Sequence, residues 1–251
     1  MKFVSLFISV LSGLVLSLSS LAQGELDSEK KILIRDERSG SLTLSSSGYG
    51  AGFRFGKHKN VKQKILYQVD VHYIRHPKEI RSASYYYPNR SFVYGKTNTF
   101  LALNTYYGIQ RELFPKFDKG GIAIRYYVLG GPSLGILKPN YYEVTYEIGR
   151  FVVEDFDTYY EKSNHAGLII GNSSFFQGIS EIMLVPGISL LSGASFDYSS
   201  SEERFNAIEA GVRVDLFLQP IAIMSENLVA PQQVFFHLFL NYRFGRILDD
   251  R

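Results

Sequence analysis

Residues 233–244 alternate apolar and polar side chains with the two-residue period of a β-strand. One face is wholly apolar or aromatic, and the other carries polar residues interrupted by two phenylalanines. The apolar face comprises Val234, Phe236, Leu238, Leu240, Tyr242 and Phe244, and the polar face Gln233, His237, Asn241 and Arg243. Such a strand suits a barrel wall that has lipid outside and polar side chains inside.

Six more stretches alternate in the same way, each with one face rich in aliphatic and aromatic residues. They are residues 49–55, 65–73, 98–109, 122–128, 188–198 and 208–218. The strand at 122–128 is expected to end near Gly130, Gly131 and Pro132, because glycine and proline punctuate strands. Membrane barrels of this kind have an even number of strands, so an eighth is required before Tyr49. The two candidates for it are residues 31–35 and 41–44.

The segments between these strands are alternately long and short. The long ones, residues 75–95, 135–180 and 220–231, are expected outside the cell, and the short ones, 57–62, 111–120 and 199–204, in the periplasm. Residues 141–148 and 150–155 are predicted to form a hairpin above the membrane; if this hairpin enters the membrane, the barrel has about ten strands instead of about eight. The predicted fold is an all-β, antiparallel, up-and-down transmembrane β-barrel with long extracellular loops.

The N-terminus has the regions of a secretory signal peptide, which predicts export. Lys2 precedes the apolar run 3–18, and Ser20-Leu21-Ala22 forms a small-residue exit, which divides the chain into a signal peptide at 1–22 and a barrel domain at 23–251. The chain has no cysteine, which excludes disulfides and thiolate chemistry. A net charge of +3 is too small to indicate nucleic acid as a partner.

The polar faces of the strands carry charges of both signs, which are expected to meet inside the barrel. At about eight strands the interior is filled by side chains, and buried charges there must be paired. We therefore predict a lumen charge network that stiffens the barrel, with an ion path or acid–base site as the alternative. Its members are Arg54, Asp70, His72, Arg125, Glu209, Arg213, Asp215, His237 and Arg243. Glycines on the same face, such as Gly50 and Gly52, are expected to leave room for larger neighbours.

Signals for catalysis or metal binding are weak. Residues 131–135 match the G-x-S-x-G pattern of serine hydrolases, but no helix start follows, so a strand-to-loop transition is the better interpretation. His72 and His76 would be separated by roughly 13 Å on a strand, too far apart to share one metal ion. The sequence therefore indicates no cofactor and no metal site.

The extracellular segments are rich in tyrosine, which gives a large contact area at small entropic cost. The candidate binding residues are Tyr85, Tyr86, Tyr87, Tyr94, Tyr141, Tyr142, Tyr159 and Tyr160. The alternative is that these rings form part of the interface girdle or pack the loops against each other. Acidic residues between Glu143 and Glu161 offer ligands for a divalent cation, but their spacing matches no defined calcium loop.

The alternation, the aromatic strands, the loop asymmetry and the closing strand ending at Phe244 resemble the small outer-membrane barrels of Gram-negative bacteria, of the OmpX and OmpA barrel class. The exit at Ala22-Gln23 and the tryptophan-free strands are similar to those of Bacteroidota proteins. The resemblance implies an outer-membrane location and contact with lipid and lipopolysaccharide. It also implies a non-enzymatic barrel whose outer loops bind a surface ligand or a partner protein. The barrel could bind that partner as a subunit of an outer-membrane complex. The alternatives are a narrow solute pore and a membrane-embedded hydrolase acting on lipid or peptide through Ser133, His165 and Asp157.

Overall fold

The computed structural model describes residues 35–60, 63–84, 87, 89–116, 121–147, 150–163, 167–199 and 204–249. The predicted signal peptide at 1–22 lies outside these residues. In chain order the strands are β1 (Arg35–Ser45), β2 (Gly48–Asn60), β3 (Gln63–Ile74), β4 (Arg81–Ala83), β5 (Ser91–Val93), β6 (Asn98–Phe114), β7 (Ala123–Pro139), β8 (Tyr141–Glu147), β9 (Arg150–Asp155), β10 (Leu168–Asn172), β11 (Met183–Asp197), β12 (Arg204–Ile221) and β13 (Gln232–Asp249). The helix α1 (Phe156–Ser163) follows β9, and a short 3-10 helix (Ile179–Glu181) precedes β11.

Eight strands form a closed barrel in the order β1-β13-β12-β11-β7-β6-β3-β2, and every neighbouring pair is antiparallel. The predicted all-β antiparallel barrel is thus confirmed, and its strand number is eight rather than ten. The hairpin predicted at 141–148 and 150–155 exists as β8 and β9, but it pairs with β10 in a separate sheet. Among the described residues, no helix is both long and apolar enough to cross a membrane.

The first barrel strand is β1, which contains the candidate segment 41–44. Of the other candidate, 31–35, only Arg35 belongs to the described residues. β1 closes the barrel by pairing with β13 along its whole length, from Arg35 opposite Asp249 to Ser45 opposite Phe239. The closing strand therefore continues past Phe244.

The expectation that the strand at 122–128 ends near Pro132 is wrong, because β7 runs on to Pro139. Proline has no backbone N–H, so it cannot donate a hydrogen bond to a neighbouring strand. The ladder between β6 and β7 is interrupted here, since the paired positions step from Asn104 opposite Ser133 to Tyr107 opposite Gly130. The ladder to β11 continues through Pro132, so the strand persists.

The outer wall of the barrel is an exposed apolar belt. On β13, Phe236, Leu238 and Leu240 each expose 56–61 % of their surface. From Val234 to Phe244 the strand rises roughly 34 Å, which at a tilt of ~40° spans about 26 Å along the barrel axis and matches an apolar band of about 25 Å. A contiguous exposed apolar surface of this kind marks contact with lipid.

Long and short connections lie at opposite ends of the barrel, with one exception. Residues 75–97, 140–182 and 222–231 join strands at the end that the topology places outside, and 61–62, 115–122 and 198–203 join them at the other. The exception is the turn at 46–47 between β1 and β2, which lies at the outer end but is tight. Because Ser45 pairs with Phe239, residues 232–237 of β13 extend past this turn and pair only with β12. The barrel wall is therefore low at this turn, and we call this place the notch.

The segment between β7 and β11 folds into a unit of its own outside the barrel, which we call the loop unit (residues 140–182). Its sheet has the order β10-β8-β9, and α1 packs against it. A small aromatic core holds the unit together. The core comprises Tyr142, Val144, Phe156, Tyr159 and Ile169, with Phe92 and Tyr160 packed against it. Phe92 belongs to the hairpin β4–β5, so the preceding outer segment is packed against the loop unit.

Candidate functional site

The lower part of the lumen is organised around the carboxylate of Glu209 on β12, which is fully buried. Arg54 donates to it at 2.7 Å from β2, and Arg243 lies 3.0 Å away on β13. Tyr127 and Asn241 donate to its second oxygen at 3.2 and 2.9 Å. Two guanidinium groups thus face one carboxylate, and the Arg54 guanidinium also lies over the Tyr127 ring at 4.6 Å. Such a network joins four strands across the barrel and fills its lumen.

Glycines on β2 make room for the neighbouring lumen residues, as the sequence predicted. A Cβ atom at Gly52 would overlap the Asp70 carboxylate, and one at Gly50 would overlap the His72 ring. Asp70 accepts a hydrogen bond of 2.5 Å from Gln68, and the His72 ring lies 3.6 Å from Asp70. These three side chains extend the network around Glu209 along β3.

A second lumen cluster surrounds Asp215 on β12. His237 Nε2 lies 3.2 Å and Arg213 Nε 3.0 Å from the same carboxylate oxygen. The Ser189 hydroxyl donates to the other oxygen. The remaining ring nitrogen of His237, Nδ1, contacts the hydroxyl of Ser47 in the turn at the notch. Asp215, His237 and Ser47 therefore form a continuous chain from the barrel interior to its rim.

Arg125, the ninth predicted lumen residue, lies apart from both clusters. It is near the periplasmic end of β7, 3.0 Å from Asp197 and 3.5 Å from Glu112. Lys116 donates to Asp197 at 2.7 Å, so this mouth of the barrel carries its own small ion-pair cluster.

The extracellular end of the barrel contains a polar cavity of about 440 Å³, which we call the outer cavity. The described residues that line it come from β3, the following loop, β6 and the loop unit. They are Tyr73, Arg75, Glu79, Arg81, Val93, Lys96, Thr99, Asn140, Tyr142 and Asn172. Arg75, Arg81 and Lys96 outweigh Glu79, so this lining has an excess of positive charge.

The lining of the outer cavity is held in place by short hydrogen bonds. Lys96 is buried and donates to Tyr73 Oη and to Glu79, both at 2.9 Å. Tyr142 donates to the backbone oxygens of Lys96 and Val93 at 2.6 and 2.8 Å. Burial raises the pKa of the Tyr142 hydroxyl, which therefore stays protonated and remains a donor. The loop unit thus fixes the backbone that presents Lys96.

The predicted binding tyrosines separate into three groups. Tyr142 and Tyr159 are buried in the core of the loop unit, with 1 % and 7 % of their surface exposed, so they pack the loop and cannot contact a partner. Tyr160 packs against that core, and Tyr141 donates to Glu181, which raises its pKa to about 12. Tyr87 and Tyr94 are exposed. Tyr85 and Tyr86 lie outside the described residues.

The candidate hydrolase residues do not come together. Ser133 is buried on the inner face of β7 and donates to Asn104 at 2.5 Å, in mid-strand rather than at a strand-to-loop transition. Asp157 lies on α1 and accepts from Ser225. His165 lies outside the described residues. Among the residues that the structure describes, no group of three or more His, Cys, Asp or Glu side chains is placed to hold a metal ion.

Two features of the site were not predicted from the sequence. Ser47 lies in a run of small polar residues that signals only a turn, and nothing in the run indicates contact with His237. Lys96 and Glu79 have no distinguishing sequence pattern. They form a hydrogen bond because residues 75–97, between β3 and β6, fold back so that the two ends of this connection lie together. Both features depend on contacts between residues far apart along the chain.

No protein-family model matches this sequence, and no curated protein matches it significantly. Several solved structures resemble it in fold. Neisserial surface protein A has 10 % identity and a TM-score of 0.36 over 86 % of this chain and 96 % of its own. Ail, the attachment invasion locus protein of Yersinia pestis, in complex with sucrose octasulfate, has 10 % identity and a TM-score of 0.40, with coverages of 85 % and 97 %. The outer membrane enzyme PagL has 10 % identity and a TM-score of 0.30, with coverages of 82 % and 97 %.

At TM-scores below 0.5 these likenesses imply no residue correspondence, so the architecture rests on the strand pairing and the exposed belt. Those two observations define an eight-stranded membrane β-barrel. The chain has the fold of the small outer-membrane barrels that its sequence resembles.

Proposed function

We propose that this chain is exported to the outer membrane of a Gram-negative bacterium and binds an anionic ligand at the cell surface through its outer cavity. The observation that carries the proposal is the lining of this cavity, which contains three cations, Arg75, Arg81 and Lys96, and a single carboxylate, Glu79. A cavity of about 440 Å³ is within the size range of small-molecule sites. The filled lumen below it disfavours the alternative of a solute pore.

The charges in the cavity favour phosphate or carboxylate groups. Arginine binds such groups through two parallel hydrogen bonds, and Arg75 and Arg81 are both exposed. Thr99, Asn140 and Asn172 add neutral donors and acceptors that suit sugar hydroxyls. The ligand class with both features is a phosphorylated or acidic saccharide, as in the core of lipopolysaccharide.

The rigidity of the lining supports binding as well. Lys96 is held by two side-chain hydrogen bonds, and its backbone by Tyr142. A site that is already ordered loses little conformational entropy on binding. The loop unit has its own sheet and aromatic core, which are not needed merely to connect β7 to β11. This additional folded structure supports a binding role for the outer end of the barrel.

The test is calorimetric titration of the full-length barrel in detergent micelles with the phosphorylated core oligosaccharide that mild acid releases from lipopolysaccharide. Arg81→Gln should weaken binding about tenfold, which corresponds to about 1.4 kcal/mol. Arg150→Gln is the control, since Arg150 is an exposed arginine of the loop unit on the same side of the membrane but does not line the cavity. Equal affinity of both variants, or of the phosphatase-treated oligosaccharide, would contradict the proposal.

A partner protein is the second candidate. Tyr87, Tyr146 and Phe151 expose 45 %, 37 % and 55 % of their surface on the extracellular side, and aromatic rings of this kind are enriched at interfaces. Purification from native outer membranes in mild detergent, followed by mass spectrometry, tests it. A stoichiometric companion that is lost in a Phe151→Ser variant would favour this candidate, and a barrel that purifies alone would speak against it.

A further inference from the structure

We propose that Ser47, His237 and Asp215 form a hydrolytic site at the notch that cleaves an acyl ester of an outer-leaflet lipid. This site is distinct from the outer cavity, with which it shares Arg75, and it does not rest on the function proposed above. It does not use Ser133, His165 or Asp157. It rests on three observations: the chain of contacts between the three side chains, the position of Ser47 at the low rim, and the two cavities that meet beside it.

The contacts assign a role to each group. Asp215 is a carboxylate that can only accept, so the ring proton of His237 belongs on Nε2, which lies 3.2 Å from Asp215. Nδ1 is then free to accept the proton of the Ser47 hydroxyl that it contacts. Although close, Nε2 and the carboxylate oxygen are not aligned as a hydrogen bond in this structure. Catalytic hydrogen bonds of this kind are often poorly aligned without substrate and tighten when it binds. Serine, base and orienting carboxylate thus stand in the order that nucleophilic catalysis requires.

The base is held rigidly. His237 exposes 1 % of its surface and Asp215 none. The imidazole stacks on Phe235 with ring centroids 6.3 Å apart and planes inclined by 6°. Ser189 and Arg213 hold the two oxygens of Asp215. A buried base with a fixed ring plane keeps its nitrogen directed at the nucleophile.

Ser47 itself is reachable, because it lies in the tight turn that leaves the wall low. A cavity of about 300 Å³ opens beside it, lined by residues 45–49 and by Arg75, His76 and Pro77. Arg75 lies at 5.6 and 5.4 Å over the rings of Tyr49 and Tyr73 and provides a positive charge in this cavity. The charge suits both the head group of a lipid and the oxyanion that forms during ester cleavage.

The second cavity is a wide, shallow depression of about 660 Å³ on the lipid-facing wall, and it is lined mainly by apolar residues. Leu44, Val212 and Leu238 are exposed there within the apolar belt. The two cavities share Ser45 and Ser46, so a groove for an acyl chain leads to the turn that carries Ser47. Because an apolar surface leads to Ser47, we assign the substrate as a lipid with an ester-linked chain rather than a peptide.

The reaction balances without any cofactor. Ser47 Oγ bonds to the ester carbonyl carbon while His237 Nδ1 takes the hydroxyl proton; the carbon–alkoxide bond then breaks, and His237 returns the proton to the leaving alcohol. Water, which reaches the rim, attacks the acyl-serine in the same way and releases the fatty acid. Asp215 acts as a positioning residue, since it touches only the imidazole.

The experiment uses the full-length barrel in detergent micelles, a fluorophosphonate probe and p-nitrophenyl dodecanoate. The probe should label Ser47 in a one-to-one ratio, as read by peptide mass spectrometry. Ser47→Ala should abolish labelling and reduce ester hydrolysis by about 100-fold or more. Ser174→Ala is the control and should retain both, because Ser174 is exposed in the loop unit and lines neither of the two cavities.

The folding of each variant is checked independently by circular dichroism, so a loss of activity is not mistaken for a loss of structure. Wild-type barrel that is folded but neither labelled nor active would overturn the proposal, as would equal rates for Ser47→Ala and wild type. Asp215→Asn should lower kcat and leave KM unchanged, whereas a merely structural role would change both or neither. The short-chain ester p-nitrophenyl acetate should be a poorer substrate, since it cannot occupy the apolar groove.

Discussion

Replacing Glu209 by glutamine should destabilise the barrel more than most other single substitutions. The carboxylate is fully buried and faces Arg54 at 2.7 Å and Arg243 at 3.0 Å. Glutamine has nearly the same shape and keeps one acceptor, but it leaves both guanidinium charges uncompensated. Removing one partner of a buried ion pair costs about 3–5 kcal/mol, so the free energy of unfolding should fall by about that amount.

The assay is urea-induced unfolding in phospholipid vesicles, followed by circular dichroism because the chain has no tryptophan. The control is Glu112→Gln, whose carboxylate is partly exposed and 3.5 Å from Arg125, and whose loss should cost less than about 1 kcal/mol. A triple variant, Arg54→Met with Glu209→Leu and Arg243→Met, should recover most of the loss, since it removes the charges together. If the free energy of unfolding of Glu209→Gln lies within about 1 kcal/mol of wild type, the ion pairs around Glu209 do not hold the lumen together.

Three further predictions concern the wall and the loops. Val212→Arg places a charge on the lipid face and should cost about 2–4 kcal/mol and block assembly into vesicles, while Val212→Leu assembles normally; equal assembly of both would contradict the outward assignment of this position. Phe156→Ala removes the centre of the loop core and should cost about 3–5 kcal/mol locally, so trypsin should cut sooner at Lys162 while the barrel strands stay intact; unchanged digestion would mean that the loop unit is held by other contacts. Glu181→Gln should lower the pKa of Tyr141 from about 12 toward its usual value of about 10, measured by NMR of 13C-labelled tyrosine, and an unchanged titration would show that the hydrogen bond to Glu181 is not its cause.

The strands of the barrel were predictable because lipid imposes a strict alternation on each of them. From Val234 to Phe244 every lipid-facing position is apolar or aromatic, although two phenylalanines interrupt the polar face, and β12 alternates as regularly. β1 was ambiguous, since only Leu42 and Leu44 carry the lipid-facing pattern while Glu37 and Arg38 lie toward the periplasmic end. The full length of β7 was not predictable, because a proline inside a strand normally indicates that the strand ends. Here Pro132 is tolerated because the ladder to β6 is interrupted beside it, and that interruption depends on the register of the two strands.

The site was less predictable because its contacts join distant parts of the chain. Alternation places Arg54 and Glu209 on inner faces, but their pairing spans 155 residues and depends on the stagger of the barrel. Ser47 and His237 are 190 residues apart and meet only because β1 and β2 end below β13. Within the loops, Tyr141 and Tyr142 are adjacent but lie on opposite faces of β8, and composition alone cannot separate a core ring from a surface ring.

The most direct test of the central claim, that the outward face of this barrel lies in lipid, is a cysteine scan of residues 208–218 on β12. The chain contains no cysteine, so each variant carries one spin label and needs no background substitution. Accessibility to oxygen, which dissolves in lipid, is compared in vesicles with accessibility to a water-soluble nickel complex. Oxygen access should alternate with a period of two: it should be high at the outward positions, and access to both reagents should be low at the positions between them. The outward positions are Ile208, Ala210, Val212, Val214, Leu216 and Leu218. High nickel access along the outward positions, or no alternation at all, would contradict it.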